Sequence, residues 1–348
     1  MQFPTYSSPH TYAPRNVSQI MHQVLLALLP GIVCSVWFFG WGTLFNILIA
    51  AVTCIGAEAV ILRLRKRPIQ ATLADGSALL TGVLLALCLP ALTPWWVPFI
   101  GALFAIVVAK QLYGGLGFNP FNPAMIGYVV LLISFPLEMT LWSAPPGLGS
   151  ERLSFLQTAH WVFAGDLPPG TVLDAFSMAT PLDTVKTRLH LGFTVSEIQS
   201  AAQFGSVAGI GWEWVNFWFL AGGLYLLVRG IVPWQIPVAM LGALFIIATF
   251  FYGFDSDQFA SPVFHLFSGA AMLGAFFIAT DPVTASTTYK GRLIFGAGIG
   301  LIAWVIRTWG GYPDGVAFAV LLMNMAVPTL DYYTRPRVFG GQAPEDEE

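Results

Sequence analysis

Apolar residues occur in this chain as unbroken blocks, not as an alternation or a one-sided stripe. Ten blocks can be marked, at about 20–39, 43–62, 77–92, 95–112, 124–142, 208–228, 233–252, 262–280, 292–309 and 313–330. Most are close to the roughly 20 residues that a bilayer-crossing helix needs, and they are rich in Leu, Ala, Ile and Gly. The period-two alternation of a membrane barrel is absent. The pattern therefore predicts an all-α polytopic membrane protein with ten transmembrane helices. The third block is short, so nine spans is the alternative count.

Polar positions between the blocks divide the chain into a 1–19 segment, a 20–142 membrane half, a 143–207 loop, a 208–330 membrane half and a 331–348 tail. The halves echo each other. "SALLTGVLLALCLP" (77–90) is similar to "SGAAMLGAFFIATDP" (268–282), and "GGLGFNPFNPAMIGYVVLL" (114–132) to "GGYPDGVAFAVLL" (310–322). Five spans per half place the copies in opposite orientations, the inverted repeat of many transporter folds.

Composition agrees with this reading. The 348 residues are 56% hydrophobic and 9% charged, against about a quarter charged in soluble domains. A net charge of −3 gives no reason to expect nucleic acid as a partner. Cys34, Cys54 and Cys88 stand singly in apolar stretches, as small core residues do. The opening "MQFPTYSSPHTYAPRNVSQ" has no hydrophobic core to read as a signal peptide. Of 15 Lys and Arg, eleven fall on one side of the predicted spans: Arg15, Arg63, Arg65, Lys66, Arg67, Lys110, Arg229, Lys290, Arg292, Arg335 and Arg337. Arg152, Lys186, Arg188 and Arg307 fall on the other. The positive-inside rule then places both termini in the cytoplasm and the 143–207 loop outside. The acidic "APEDEE" ending reads as a solvated tail.

Four places can carry chemistry. "GGLGFNPFNPAM" (114–125) combines helix-breaking glycines with two Asn-Pro pairs, so Asn119 and Asn122 mark a broken entry into a helix, where they either bind a polar ligand or only shape a rigid loop. "IATDPVTASTTYKGR" (278–292) follows a span; Asp281 before Pro282 reads as an N-cap, while Thr284, Ser286, Thr287 and Thr288 are candidates for a flavin or ion site. Glu58 lies within a span, near enough to Arg63 and Arg65 to pair with them. Asp75 and Arg307 read as anchors at span ends. His22 and His265 are isolated, and no metal-ligand cluster can be assembled. In "SMATPLDT" (177–184), Thr180 is an N-cap, Pro181 takes the first helical position and Asp183 the third. A capped helix needs nothing more, yet a hydroxyl at a helix N-terminus also favours a phosphate ester. Asp183 would oppose that phosphate, and Lys186 and Arg188 would offset it.

Long blocks of this chain, including "KQLYGGLGFNPFNPAMIGYVVLLISFP", "SMATPLDTVKT", "TDPVTASTTYKGRLIFG" and "LDYYTRPRVFG", resemble the RnfD (RsxD) proteins of Rnf electron-transport complexes. That family is related to the NqrB proteins of the sodium-pumping NADH:quinone oxidoreductase. The resemblance implies FMN joined by a phosphoester bond to Thr180, in a motif that keeps Ser177, Ala179 and Thr180. Met178 stands where the best-known form has Gly. It also implies a second, noncovalent flavin, riboflavin, within the helices towards the cytoplasm; Asn119, Asn122, Asp281, Thr284, Ser286 and Thr287 are the candidates to bind it. The expected role is a flavin-bearing protein of a bacterial inner membrane complex. It would join electron transfer between ferredoxin and NAD to Na⁺ or H⁺ translocation, beside iron–sulfur and flavin subunits. A non-redox solute transporter or channel explains the repeat and broken helices equally well, and a structural scaffold is a second rival. The transporter reading does not account for the long loop with its capped threonine and two basic residues, and flavin on the isolated chain separates both rivals from the flavoprotein reading.

Overall fold

The computed structural model describes residues 16–148 and 152–336. The expected cytoplasmic ends, including Arg15, Arg337 and the acidic tail, lie outside the described residues. Within them the chain is helical; its extended pairing amounts to isolated bridges, Ser143 with Ser177 and Phe204 with Gly209. Every predicted block contains helix. Val17–Phe39, Gly42–Leu64, Gln235–Phe254, Tyr289–Trp309 and Val316–Tyr333 are long and apolar enough to cross a bilayer, and Trp212–Val228 falls one residue short of 18. Leu26, Val33, Trp37, Leu48, Val52, Ile246 and Phe250 are exposed on these helices, as lipid-facing side chains are.

The other spans depart from the predicted bounds. The third is only Ser77–Leu87, about 16 Å of helix at 1.5 Å per residue. The fourth, Trp96–Gln111, passes from α- into π-helix at Phe104. The fifth, Pro123–Ser134, stops well before 142. The eighth is broken into Pro262–Phe267, Ala271–Leu273 and the π-helical Gly274–Ile278. Hydropathy cannot detect such breaks, because irregular backbone is tolerated at membrane depth wherever protein surrounds it. After the third span, Leu89–Thr93 is buried, and Asn46 on the second span donates to the Pro90 carbonyl at 2.8 Å. In the eighth, the Asn216 amide donates to the carbonyls of Phe267 (3.1 Å) and Gly269 (3.0 Å) and accepts from the Met272 N–H at 3.3 Å.

Packing repeats between the halves. The second span packs on the third and fourth, and the fourth on the fifth; likewise the seventh packs on the eighth and ninth, and the ninth on the tenth. The first span meets the sixth, and the fifth meets the tenth, so like elements face each other across the middle. Small residues allow these approaches: a Cβ on Gly300 would lie 2.2 Å from the Met240 carbonyl oxygen, and one on Gly222 2.1 Å from that of Ala27. Left-handed glycines, Gly76 (φ +78°) and Gly269 (φ +60°), turn the chain at the start of the third span and within the eighth.

The 143–207 loop carries Phe155–Ala164, Pro181–His190 and Val195–Gln199. Its Leu182, Val185, Val195 and Ile198 share a small core with Ala208, Ala260 and Phe264, which seats it on the membrane helices.

Candidate functional site

Two places gather the predicted residues, at opposite ends of the first span. At the loop end, residues 176–178 are fixed by short antiparallel pairing: the Ala144 N–H donates to Phe176 O at 2.9 Å and the Met178 N–H to Trp142 O at 2.8 Å. The helix that follows, Pro181–His190, begins as the spacing predicts. Thr180 is extended (φ −63°, ψ 156°), its hydroxyl oxygen accepts the Asp183 N–H at 3.2 Å, and Pro181 occupies the first turn. Pro181 packs on Gly209, where a Cβ would come within 2.0 Å of the ring. Thr180 and Ser177 are both part-exposed, so neither residue is sealed inside the fold.

The charges around Thr180 are arranged less simply than the spacing suggests. Burial raises the Asp183 carboxyl above its ordinary range, and the Lys186 charge and Thr187 hydroxyl only partly oppose this. Lys186 is engaged elsewhere. Its ammonium donates to the carbonyls of Ile306 (3.1 Å), Arg307 (3.3 Å) and Tyr312 (2.9 Å) at the end of the ninth span. Burial lowers its affinity for a proton, with Asp183 acting the other way. Arg188 is exposed.

At the other end of the first span lies a cavity of about 190 Å³ with mostly apolar walls, among them Met21, Leu84, Ile236, Phe276 and Phe277. Asn119, Asn122, Asp281, Ser286 and Thr287 all line it. Asn122 caps the fifth span, accepting from Ala124 N at 3.0 Å and Met125 N at 3.3 Å, while its amide donates to Ile278 O at 3.3 Å. Asn119 donates to Phe121 O at 3.1 Å, but its buried Oδ1 has no partner. Thr284 stands behind the wall and donates to Asp281 at 3.0 Å. Asp281 does not cap a helix: it closes a turn by accepting from Val283 N, and Thr288 caps the ninth span by accepting from Gly291 N at 3.0 Å. The hydroxyls of Ser286 and Thr287 both donate to Asp331, at 2.5 and 2.7 Å, so the tenth span holds the hydroxyl-rich segment in place.

Sequence reasoning missed the polar floor of this cavity. Lys110 is 1% exposed, lines the cavity and donates to Ser77 Oγ at 2.7 Å. It forms a 2.7 Å ion pair with Glu58, to which Gln111 also donates at 2.6 Å. The expected pairing of Glu58 with Arg63 or Arg65 is corrected: Arg65 turns to the Gln111 carbonyl at 2.8 Å, at the end of the fourth span. The π-helical turns carry Lys110 to Glu58 instead, and such turns recur at functional positions. A lysine inside "AIVVAKQLYGG", with one acid in a neighbouring span, was the available signal. Asp75 and Arg307 are also more than anchors. Asp75 accepts from Ser77 N at 2.7 Å, and Arg307 is buried and paired with Asp314 at 3.1 Å.

A cavity with apolar walls, a paired charge at its floor and an unpaired buried acceptor suits a largely apolar ligand with a hydrogen-bond donor. The sequence model of the NQR2, RnfD, RnfE family matches residues 4–340. A Citrobacter koseri protein, named as a subunit of an ion-translocating oxidoreductase complex, is 56% identical over 349 residues, covering 98% of this chain and 99% of the relative. Proteins of the same name from Klebsiella pneumoniae and Aliivibrio salmonicida are 57% and 54% identical, with the same coverage.

Proposed function

The chain belongs to the NQR2, RnfD, RnfE family, and from that premise we propose that it is the flavin-bearing membrane subunit of an ion-translocating oxidoreductase complex. FMN is esterified through phosphate to Thr180, and a noncovalent riboflavin occupies the cavity at the other end of the first span. The observation that carries this reading is the pairing of the two sites: a part-exposed threonine capping a helix at one end, and an apolar cavity with the unpaired Asn119 Oδ1 at the other. The predominance of Lys and Arg at the cavity end supports a cytoplasmic position for that end and an outer one for Thr180, in a bacterial inner membrane.

When bound, the flavins supply one- and two-electron transfer. The residues of the chain hold and insulate them. An ester on Thr180 Oγ1 removes its proton but leaves an oxygen that still accepts from Asp183 N, so the cap survives attachment. Pro181 against Gly209 and the pairing at 176–178 hold the ester in one place. In the cavity, Asn119 offers its unpaired Oδ1 to a ligand edge while Asn122 holds the start of the fifth span, and Phe276 and Phe277 exclude water. In the complex, such flavins would supply the electron-carrying chemistry between ferredoxin and NAD beside iron–sulfur and flavin partners, and the chain would join it to movement of Na⁺ or H⁺.

The test is in-gel flavin fluorescence of the denatured chain, wild type against Thr180→Val, expressed with the flavin-attaching enzyme. A bright wild-type band that darkens in the variant is expected. A dark wild-type band, with attachment confirmed on a control protein, would put a non-redox transporter or a scaffold first.

A further inference from the structure

The Thr180 helix and the broken eighth span meet in one compact joint. Leu182 and Lys186 are four residues apart, hence on the same face of that helix. Leu182 is buried, and its Cδ1 lies 2.7 Å from where a Cβ on Gly269 would sit, so it rests on the turn of the break itself. Lys186 meanwhile donates to three carbonyls at and just beyond the end of the ninth span. Helix-end carbonyls lack partners within the helix, and the dipole there favours a cation.

The same turn of the ninth span holds the break from its other side. The Arg307 guanidinium donates to His265 O at 2.6 Å, Ser268 O at 3.1 Å and Asp314 Oδ1 at 3.1 Å. Asp314 Oδ2 then accepts the Ala270 N–H at 2.7 Å. Arg307 is 4% exposed, so losing any of these partners strands a charge or a backbone group away from water. Such a cluster moves as a unit or comes apart; it does not stretch. Beyond the break, Ala271–Ile278 leads to Phe276, Phe277, Thr280 and Asp281, which line the cavity.

We propose that Lys186 and Arg307 are positioning residues that join the two sites. Displacement of the Thr180 helix shifts the final turn of the ninth span through Lys186. Arg307 and Asp314 carry that shift to the turn at Gly269, and so to the half-helix that walls the cavity. The mechanical link is independent of any cofactor; its meaning as a coupling between two flavin sites rests on the function proposed above.

The experiment uses the full complex in lipid, with Lys186→Met, Lys186→Arg, Asp314→Asn and the double variant Lys186→Met/Asp314→Asn. Three quantities are read: hydrogen exchange across residues 262–280, covalent and acid-extractable flavin, and ions moved per electron in sealed vesicles. Lys186→Met is expected to speed exchange at Gly269–Ala271 several-fold and lower the ion-to-electron ratio, with covalent flavin retained. Lys186→Arg restores both, and the double variant is no worse than Asp314→Asn alone, since each change opens the same joint. Faster exchange confined to the Thr180 helix, or single effects that multiply in the double variant, would overturn the proposal and leave Lys186 a local anchor. Should Lys186→Met not assemble, Leu182→Ala loosens the same contact without changing charge, and unchanged exchange at the break would then overturn it. A wild-type chain without flavin sinks the functional reading, while the exchange measurement still decides the joint.

Discussion

Thr180 shows how far a single residue can be read from its neighbours. Its cap needs only Pro181 and the Asp183 N–H, all within one turn, and it forms as spacing predicts. Asp183 was harder to read, because its environment comes from burial. The folded pKa lies above the unfolded one, so the folded chain holds more protons in the window between them. The contribution of Asp183 to the stability of the docked helix is therefore fully present below the ordinary carboxylate range and is lost as pH rises through the raised value. Hydrogen exchange of residues 181–190, corrected for its intrinsic pH dependence, is expected to quicken across that window in the wild type. In Asp183→Asn it should stay flat. Glu58 illustrates the opposite limit: Arg63 and Arg65 are its near neighbours in sequence, yet its partner is Lys110 from the fourth span.

At the scale of elements, hydropathy located each span but not its interruptions. The eighth reads as one apolar run from 262 to 280, because the residues around Gly269 are small and uncharged. Asn216 on the sixth span makes the break tolerable by donating to Trp212, Phe267 and Gly269 carbonyls. Asn216→Leu strands the Phe267 and Gly269 carbonyls and the Met272 N–H; at about 1–3 kcal/mol for each unsatisfied buried group, a loss on the order of 3 kcal/mol is expected. The thermal midpoint of the detergent-solubilised chain checks this, and a loss as small as that of a surface change would mean that water reaches the break. The fifth and ninth spans begin at Asn122 and Thr288, where local caps form. Asp281 misled because Asp-Pro suits a turn as well as a helix start.

At the scale of the whole molecule, the described residues repeat the same helix neighbours in two successive sets, and the charge pattern supports the direction in the membrane proposed above. In a cysteine-free background (Cys34, Cys54 and Cys88 replaced), Phe193→Cys on the loop is expected to react with a membrane-impermeant maleimide in spheroplasts. Tyr113→Cys, exposed at the cavity end, should react only after permeabilisation. The reverse pattern would invert the assignment of the two sites. From sequence alone came the helical membrane class, the ten blocks, the repeat and the cap at Thr180, since each depends on hydropathy or on partners a few residues away. Only the tertiary structure decided the Glu58–Lys110 floor, the Arg307–Asp314 hold on the eighth span and the docking of Lys186. These join groups far apart in the chain, and a buried charge takes whichever partner packing brings within reach.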